Sequence, residues 1–161
     1  MGDWLAEIVQ TWGYLGLALA VFLTNATLFV GIPTPTYVVL AVALGMDPLL
    51  VALISGVASA AGETTGYVVG LTGRKALEKK GYDEYITRWR KMVSKYGFLA
   101  IVLIAALPFP PDDIAGIIAG ALGYEYWKFF LATFIGKTIK YGAVAYLTVL
   151  GIHAASWLGG G

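Results

Sequence analysis

Two sets of prolines interrupt apolar sequence at matching places in the two halves of this chain. Pro33 and Pro35 are answered 75 positions later by Pro108 and Pro110, with Pro111 beside them. A proline lacks an amide donor and biases the residue before it away from the helical region. Neither Gly31-Ile32-Pro33-Thr34-Pro35-Thr36 nor Pro108-Phe109-Pro110-Pro111-Asp112-Asp113 is therefore read as regular helix. The apolar runs that follow, Tyr37 to Leu44 and Ile114 to Leu122, are short. At the rise of an α-helix each covers only about 12–14 Å, less than half of a roughly 30 Å hydrocarbon core.

Hydrocarbon is the relevant solvent because charge is scarce. Of the 161 residues, 58% are hydrophobic and 13% charged, against about 25% charged in a soluble domain. Eight of the eleven Lys and Arg lie between Arg74 and Lys95. The chain reads as an all-α integral membrane protein, and the positive-inside rule places residues 74–95, which include an amphipathic surface helix, in the cytoplasm. Gly13–Val30, Leu49–Thr72 and Phe129–Leu158 are long enough to span. Residues 3–12 carry Trp4 and Trp12 and read as an interfacial helix, and Tyr96–Leu107 is too short to cross comfortably. The clustering of the basic residues in one loop makes nucleic acid an unsuitable partner. The chain has no cysteine, hence no thiolate metal site, and Asp3 and Glu7 without Lys or Arg are unlike a signal peptide.

A phrase also repeats. Gly62-Glu63-Thr64-Thr65-Gly66-Tyr67 returns as Gly136-Lys137-Thr138-Ile139-Lys140-Tyr141 at an offset of 74. Broken helices at corresponding places in two halves are the mark of a membrane repeat. The expected architecture is one membrane domain over residues 1–161, a small helical bundle with two opposed re-entrant hairpins in an inverted repeat. Repeat one covers about 13–73, the basic linker 74–95, and repeat two about 96–158. Re-entrant backbone is stable only where protein or a water-filled cavity covers it.

Five ionisable groups fall inside or beside apolar stretches: Glu63, Asp112, Asp113, Lys137 and Lys140. Each costs about 2.5–3.5 kcal/mol at the centre of a spanning helix on insertion scales, so they must pair or face water. One reading makes them salt bridges that hold the bundle together. The other makes them a polar site at the midplane, because they sit beside the breaks. Lys137 and Lys140 share a helix face and would repel without an anion or carboxylates between them, and a lipid phosphate is one such anion. Asp112 and Asp113 suit the N-terminus of the short second-half helix, so they also read as caps. Asn25 and Thr24 line a cavity or join two helices by hydrogen bonds. His153 reads as interfacial, and no metal-ligand spacing is present.

At these residues the sequence resembles the DedA family, also known by its VTT or SNARE-associated domain. The resemblance is carried by Pro33-Thr34-Pro35, by Gly62-Glu63 with Tyr67, Gly70, Gly73 and Arg74, and by Leu107-Pro108-Phe109-Pro110 leading to Ala119-Gly120. It covers roughly residues 12–150. It implies two facing re-entrant hairpins and movement of lipids between leaflets, with polyprenyl phosphate carriers and phospholipids as cargo and an ion or proton gradient as drive. Many members carry an acid just after the first proline motif, where this chain has Tyr37, and an arginine shortly before the second, where it has Ala105 and Ala106.

The expected function is that of a multi-pass cell-membrane flippase or scramblase for a phosphate-bearing lipid, such as a polyprenyl phosphate, without enzymatic chemistry or cofactor, with Glu63, Asp112, Asp113, Lys137 and Lys140 as the transport site. Protons are a candidate coupling partner. A proton- or ion-coupled solute transporter and a non-transporting membrane scaffold remain as alternatives. Glycine stripes such as Gly62/Gly66/Gly70 and Gly116/Gly120 serve internal packing or homo-oligomerisation equally well.

Overall fold

The computed structural model describes residues 3–27, 33–79, 83–107 and 113–159. They form α1 (Asp3–Ala26), α2 (Thr34–Ala43), α3 (Pro48–Lys79), α4 (Asp83–Ala106), α5 (Asp113–Ala121) and α6 (Tyr126–Gly159). The two short apolar runs are the short helices α2 and α5, but each starts earlier than the sequence predicts: α2 takes in Thr34, Pro35 and Thr36, and α5 takes in Asp113, all expected outside regular helix. Pro33 sits just ahead of α2, and Pro35 lies in its first turn, where a missing amide loses nothing. Pro108, Pro110, Pro111 and Asp112 lie outside the described residues.

The halves follow one local plan. Gly13 breaks α1 at φ 55°, ψ −127°, and Gly97 breaks α4 at φ 47°, ψ −120°. Each break separates an N-terminal arm from an apolar limb, so residues 3–12 and Gly13–Ala26 are two limbs of one kinked helix. After α2, the amides of Leu44, Gly45 and Met46 donate to Leu40, Val42 and Ala41. After α5, Leu122, Gly123 and Tyr124 donate to Ile118, Gly120 and Ala119 with nearly the same lengths. Gly45 and Gly123, both with positive φ, close these turns 78 positions apart. The turns therefore repeat at 78, about one helical turn more than the 74 of the repeated phrase. The basic stretch after Arg74 is largely helical. α3 runs on to Lys79, and α4 starts at Asp83.

The two long helices α3 and α6 form the centre. They run antiparallel: Gly142 faces Ala52, Lys137 meets Glu63, and Phe129 stacks on Tyr67 at 5.2 Å. α3 also packs against α1 and α5, and α6 against α4 and α2. The α3–α5 contact is backbone on backbone. A Cβ on Gly116 would lie 2.9 Å from the Glu63 carbonyl oxygen, and one on Gly120 would collide with the Tyr67 carbonyl. One apolar cluster gathers Val9, Leu17, Val21, Val38, Val51 and Tyr141, and a second gathers Tyr67, Ile101, Val102, Phe129 and Ala132.

The outside is apolar too. Leu15, Leu53, Leu99, Leu103, Leu147 and Leu150 are all more than a third exposed, among many others. A soluble monomer rarely exposes such a surface, and the chain is a membrane protein. Glu7–Ala26 of α1 and Pro48–Gly73 of α3 are long and apolar enough to cross a bilayer. α6 carries Lys137 and Lys140 within its 34 residues.

Candidate functional site

The seam between α3 and α6 is polar. α3 places Ser55, Ser59 and Glu63 on one face at intervals of four, and α6 places Thr133, Lys137 and Tyr141 likewise. All six are buried, none more than 3% exposed. Glu63 Oε1 and Lys137 Nζ meet at 2.6 Å, with both side chains 2% exposed. The pair gathers two of the five sequence-predicted charges, from opposite halves of the chain. Removing either partner would take the counter-charge at 2.6 Å from a buried ionised group.

One turn away is a second contact of the same kind. Ser59 Oγ and Tyr141 OH lie 3.3 Å apart. Ser59 donates to Asn25 Oδ1 at 2.8 Å, and Asn25 Nδ2 donates to Thr34 Oγ1 at 3.1 Å and to the Val21 carbonyl at 2.7 Å. Since the serine has one hydrogen, Tyr141 supplies the proton of the 3.3 Å contact. Four helices are thereby joined at a buried node: α1 through Asn25, α2 through Thr34, α3 through Ser59 and α6 through Tyr141. Gly62 makes this possible, for a Cβ there would stand 2.8 Å from both the Asn25 Cβ and the Phe22 carbonyl oxygen.

The remaining sequence-predicted groups are placed as follows. Lys140 is half-buried on α6, three residues past Lys137. Asp113 begins α5, and its side chain, like all of Asp112, lies outside the described residues. Pro33 is exposed and Pro35 half-buried at the start of α2. Asn25 joins helices, one of its two sequence readings. Thr24 instead bonds the Ala20 carbonyl of its own helix at 2.7 Å. Ser59, Thr34 and Tyr141 were not singled out as site residues from sequence. The four-residue spacing of Ser55, Ser59 and Glu63 was the available signal.

Two features flank the seam. A groove of about 450 Å³ opens between α1 and α3, lined only by apolar residues such as Leu15, Leu19, Phe22, Leu53 and Val57. At the α5–α6 turn, Tyr67 OH donates to the Tyr124 carbonyl at 2.5 Å. Burial raises the Tyr124 phenol above its ordinary 10.0, with Lys128 partly offsetting it.

The VTT domain family model matches residues 32–150 of this chain. An uncharacterized protein of Methanocaldococcus jannaschii is 27% identical over 152 residues, 94% of this chain and 93% of its own. The vacuole membrane protein KMS1 of Arabidopsis thaliana is 36% identical over 91 residues, 53% of this chain and 22% of its own. Human vacuole membrane protein 1 is 46% identical over 50 residues, 31% of this chain and 12% of its own. The chain thus spans nearly all of the archaeal relative and between 12% and 28% of the eukaryotic ones. No solved structure matches it.

Proposed function

The chain belongs to the VTT domain family of membrane proteins, and from that premise we propose that it moves a phosphate-bearing lipid, such as a polyprenyl phosphate, between leaflets as a flippase or scramblase. The observation that carries this reading is the Glu63–Lys137 pair, closed at 2.6 Å where the two halves cross inside an apolar bundle. A buried pair is a poor device for stability alone, since apolar residues of the same volume do as well or better. It is a good device for a site that must hold an anion and release it. The incoming phosphate takes the place of Glu63 on Lys137, and Lys140, three residues on, adds charge. Glu63, displaced and desolvated, takes up a proton. Of the 112–113 pair, one carboxylate serves the same exchange. No bond is made or broken, so the protein acts as a transporter and not as an enzyme.

In this proposal the shared plan of the halves is an inverted repeat of about 13–73 and 96–158. The short helices α2 and α5 are the return limbs of two opposed re-entrant hairpins. The chain crosses the cell membrane several times, with residues 74–95 in the cytoplasm. The apolar groove between α1 and α3 supports a lipid cargo over a soluble one, because its wholly apolar lining suits tails that stay in hydrocarbon while only the headgroup crosses.

The test is transport of a fluorescent phosphate-bearing lipid across reconstituted vesicles. Lys137→Ala and Glu63→Gln are each expected to abolish most of it. Wild-type rates in both variants would remove the proposed site. Full transport in a Glu63→Gln, Lys137→Met double variant would leave the pair as a structural staple only.

A further inference from the structure

Some buried hydroxyls of the bundle have no hydrogen-bond partner among the described residues, those of Tyr37, Ser55, Thr133 and Thr138. Ser55 is 0% and Thr133 1% exposed. A hydroxyl kept from water without a partner is a standing cost to the fold.

Their positions are related. Ser55 precedes Ser59 by one turn of α3, and Thr133 precedes Lys137 by one turn of α6. They lie 78 positions apart, the interval at which the α2–α3 and α5–α6 turns repeat. Because α3 and α6 are antiparallel, the two hydroxyls fall at opposite ends of the polar seam. Four-residue helical spacing on either side of the two observed contacts sets the order along it as Ser55, then Ser59 with Tyr141, then Glu63 with Lys137, then Thr133. Successive levels are four residues apart, about 6 Å, so the series runs about 18 Å, more than half of a roughly 30 Å hydrocarbon core. The middle levels satisfy each other. The end levels are donors with no acceptor among the described residues.

We propose that the α3–α6 seam is the path of the phosphate headgroup, with Ser55 and Thr133 as its two outer stations and Lys137 at its centre. This rests on the lipid-transport reading above and adds the route to it. A phosphate oxygen accepts from each hydroxyl in turn, which keeps the headgroup solvated while its tails remain outside. Neutral donors suit the ends, because a site that passes its cargo on must bind weakly at several places and not tightly at one.

The absence of cysteine from the chain makes the test direct. Ser55→Cys, Thr133→Cys and, as a control inside an apolar cluster, Ala20→Cys are reconstituted as full-length protein. A membrane-impermeant anionic thiol reagent is added from either face of phosphatidylcholine vesicles, with and without phosphatidate. Ser55→Cys is expected to react many-fold faster than Ala20→Cys from one face, and Thr133→Cys from the other. Phosphatidate should slow both reactions, and inorganic phosphate should not. Reaction of both seam cysteines at the control rate would overturn the route. If wild-type protein still flips lipid in those vesicles, only the route is wrong and the lipid reading stands. Equal protection by inorganic phosphate would overturn the assignment of the seam to a lipid headgroup. Ser55→Ala and Thr133→Ala, which remove the hydroxyls without adding bulk, should slow flipping several-fold, and unchanged flipping in both would remove them as stations.

Discussion

Gly13 and Gly97 break their helices with almost the same backbone angles, and each faces the turn behind the next short helix. A Cβ on Gly13 would come 3.9 Å from the Met46 methyl, and one on Gly97 would come 3.8 Å from Tyr124 OH. Met46 and Tyr124 are 78 positions apart and occupy the same place in their turns. The two breaks are thus the same joint built twice. A positive φ with ψ near −120° is tolerated by little except glycine. Gly13→Ala and Gly97→Ala are each expected to cost about 1–3 kcal/mol, read as a fall in melting temperature in detergent. Gly73→Ala, where an added methyl meets nothing within 4 Å, should cost nothing.

The Glu63–Lys137 pair separates folding from function. Lys137→Met or Glu63→Gln alone leaves one buried polar group or charge without its partner. Each single change is expected to lower stability, by up to about 3–5 kcal/mol. The double variant should recover most of that loss in a chemical or thermal melt, and its lipid transport should stay lost.

Asn25 holds α1, α2 and α3 at one point. Asn25→Leu removes the acceptor of Ser59 and the donor to Thr34. Each group left unpaired costs about 1–3 kcal/mol. The loss should appear first as faster amide exchange over residues 34–43. Unchanged exchange there would mean that α2 is held by its apolar contacts alone.

The α3–α5 crossing has no room for a side chain at Gly120. Gly120→Ala is expected to push α5 off α3, at about 1–3 kcal/mol for the overpacking. A disulfide placed across the two helices would form less efficiently in that variant than in its parent.

Tyr124 makes the fold sensitive to strong base. Its phenol is raised above 10.0 in the folded chain, chiefly by burial. The ionised form is penalised in the fold and not in the unfolded chain. Its contribution to stability is therefore constant below pH 10 and lost as pH rises beyond it. Tyr124→Phe should flatten the fall in melting temperature above pH 10, and a difference absorbance titration should place the missing phenol above its ordinary value.

Much of this was legible in the sequence. The proline pairs and the short runs after them located α2 and α5, and scarce charge pointed to a membrane protein. Glu63 and Lys137 could be matched because the repeated phrase sets one against the other. What was not legible is register. The phrase aligns at 74 and the turns at 78, and a helix gives nearly the same faces at either interval, so sequence cannot choose between them. At 78 the counterpart of Lys137 is Ser59 and that of Glu63 is Tyr141, and these two bond each other. That node was hidden because the four-residue spacing of Ser55, Ser59 and Glu63 marks a shared helix face and does not say which partner that face meets. The extent of α3 was also hidden, since helix propensity does not stop at the edge of an apolar run.

The glycine crossing of α3 and α5 has one more consequence, for how such a chain arose. At the interval of 78, Gly116 and Gly120 correspond to Val38 and Val42. Two copies of the first half, placed as the two halves are now, would set valines where the carbonyls of Glu63 and Tyr67 admit no Cβ. Neither half is therefore a spare for the other. If an ancestral dimer of identical halves preceded this protein, its partners have since specialised within a single chain and lost the freedom to part.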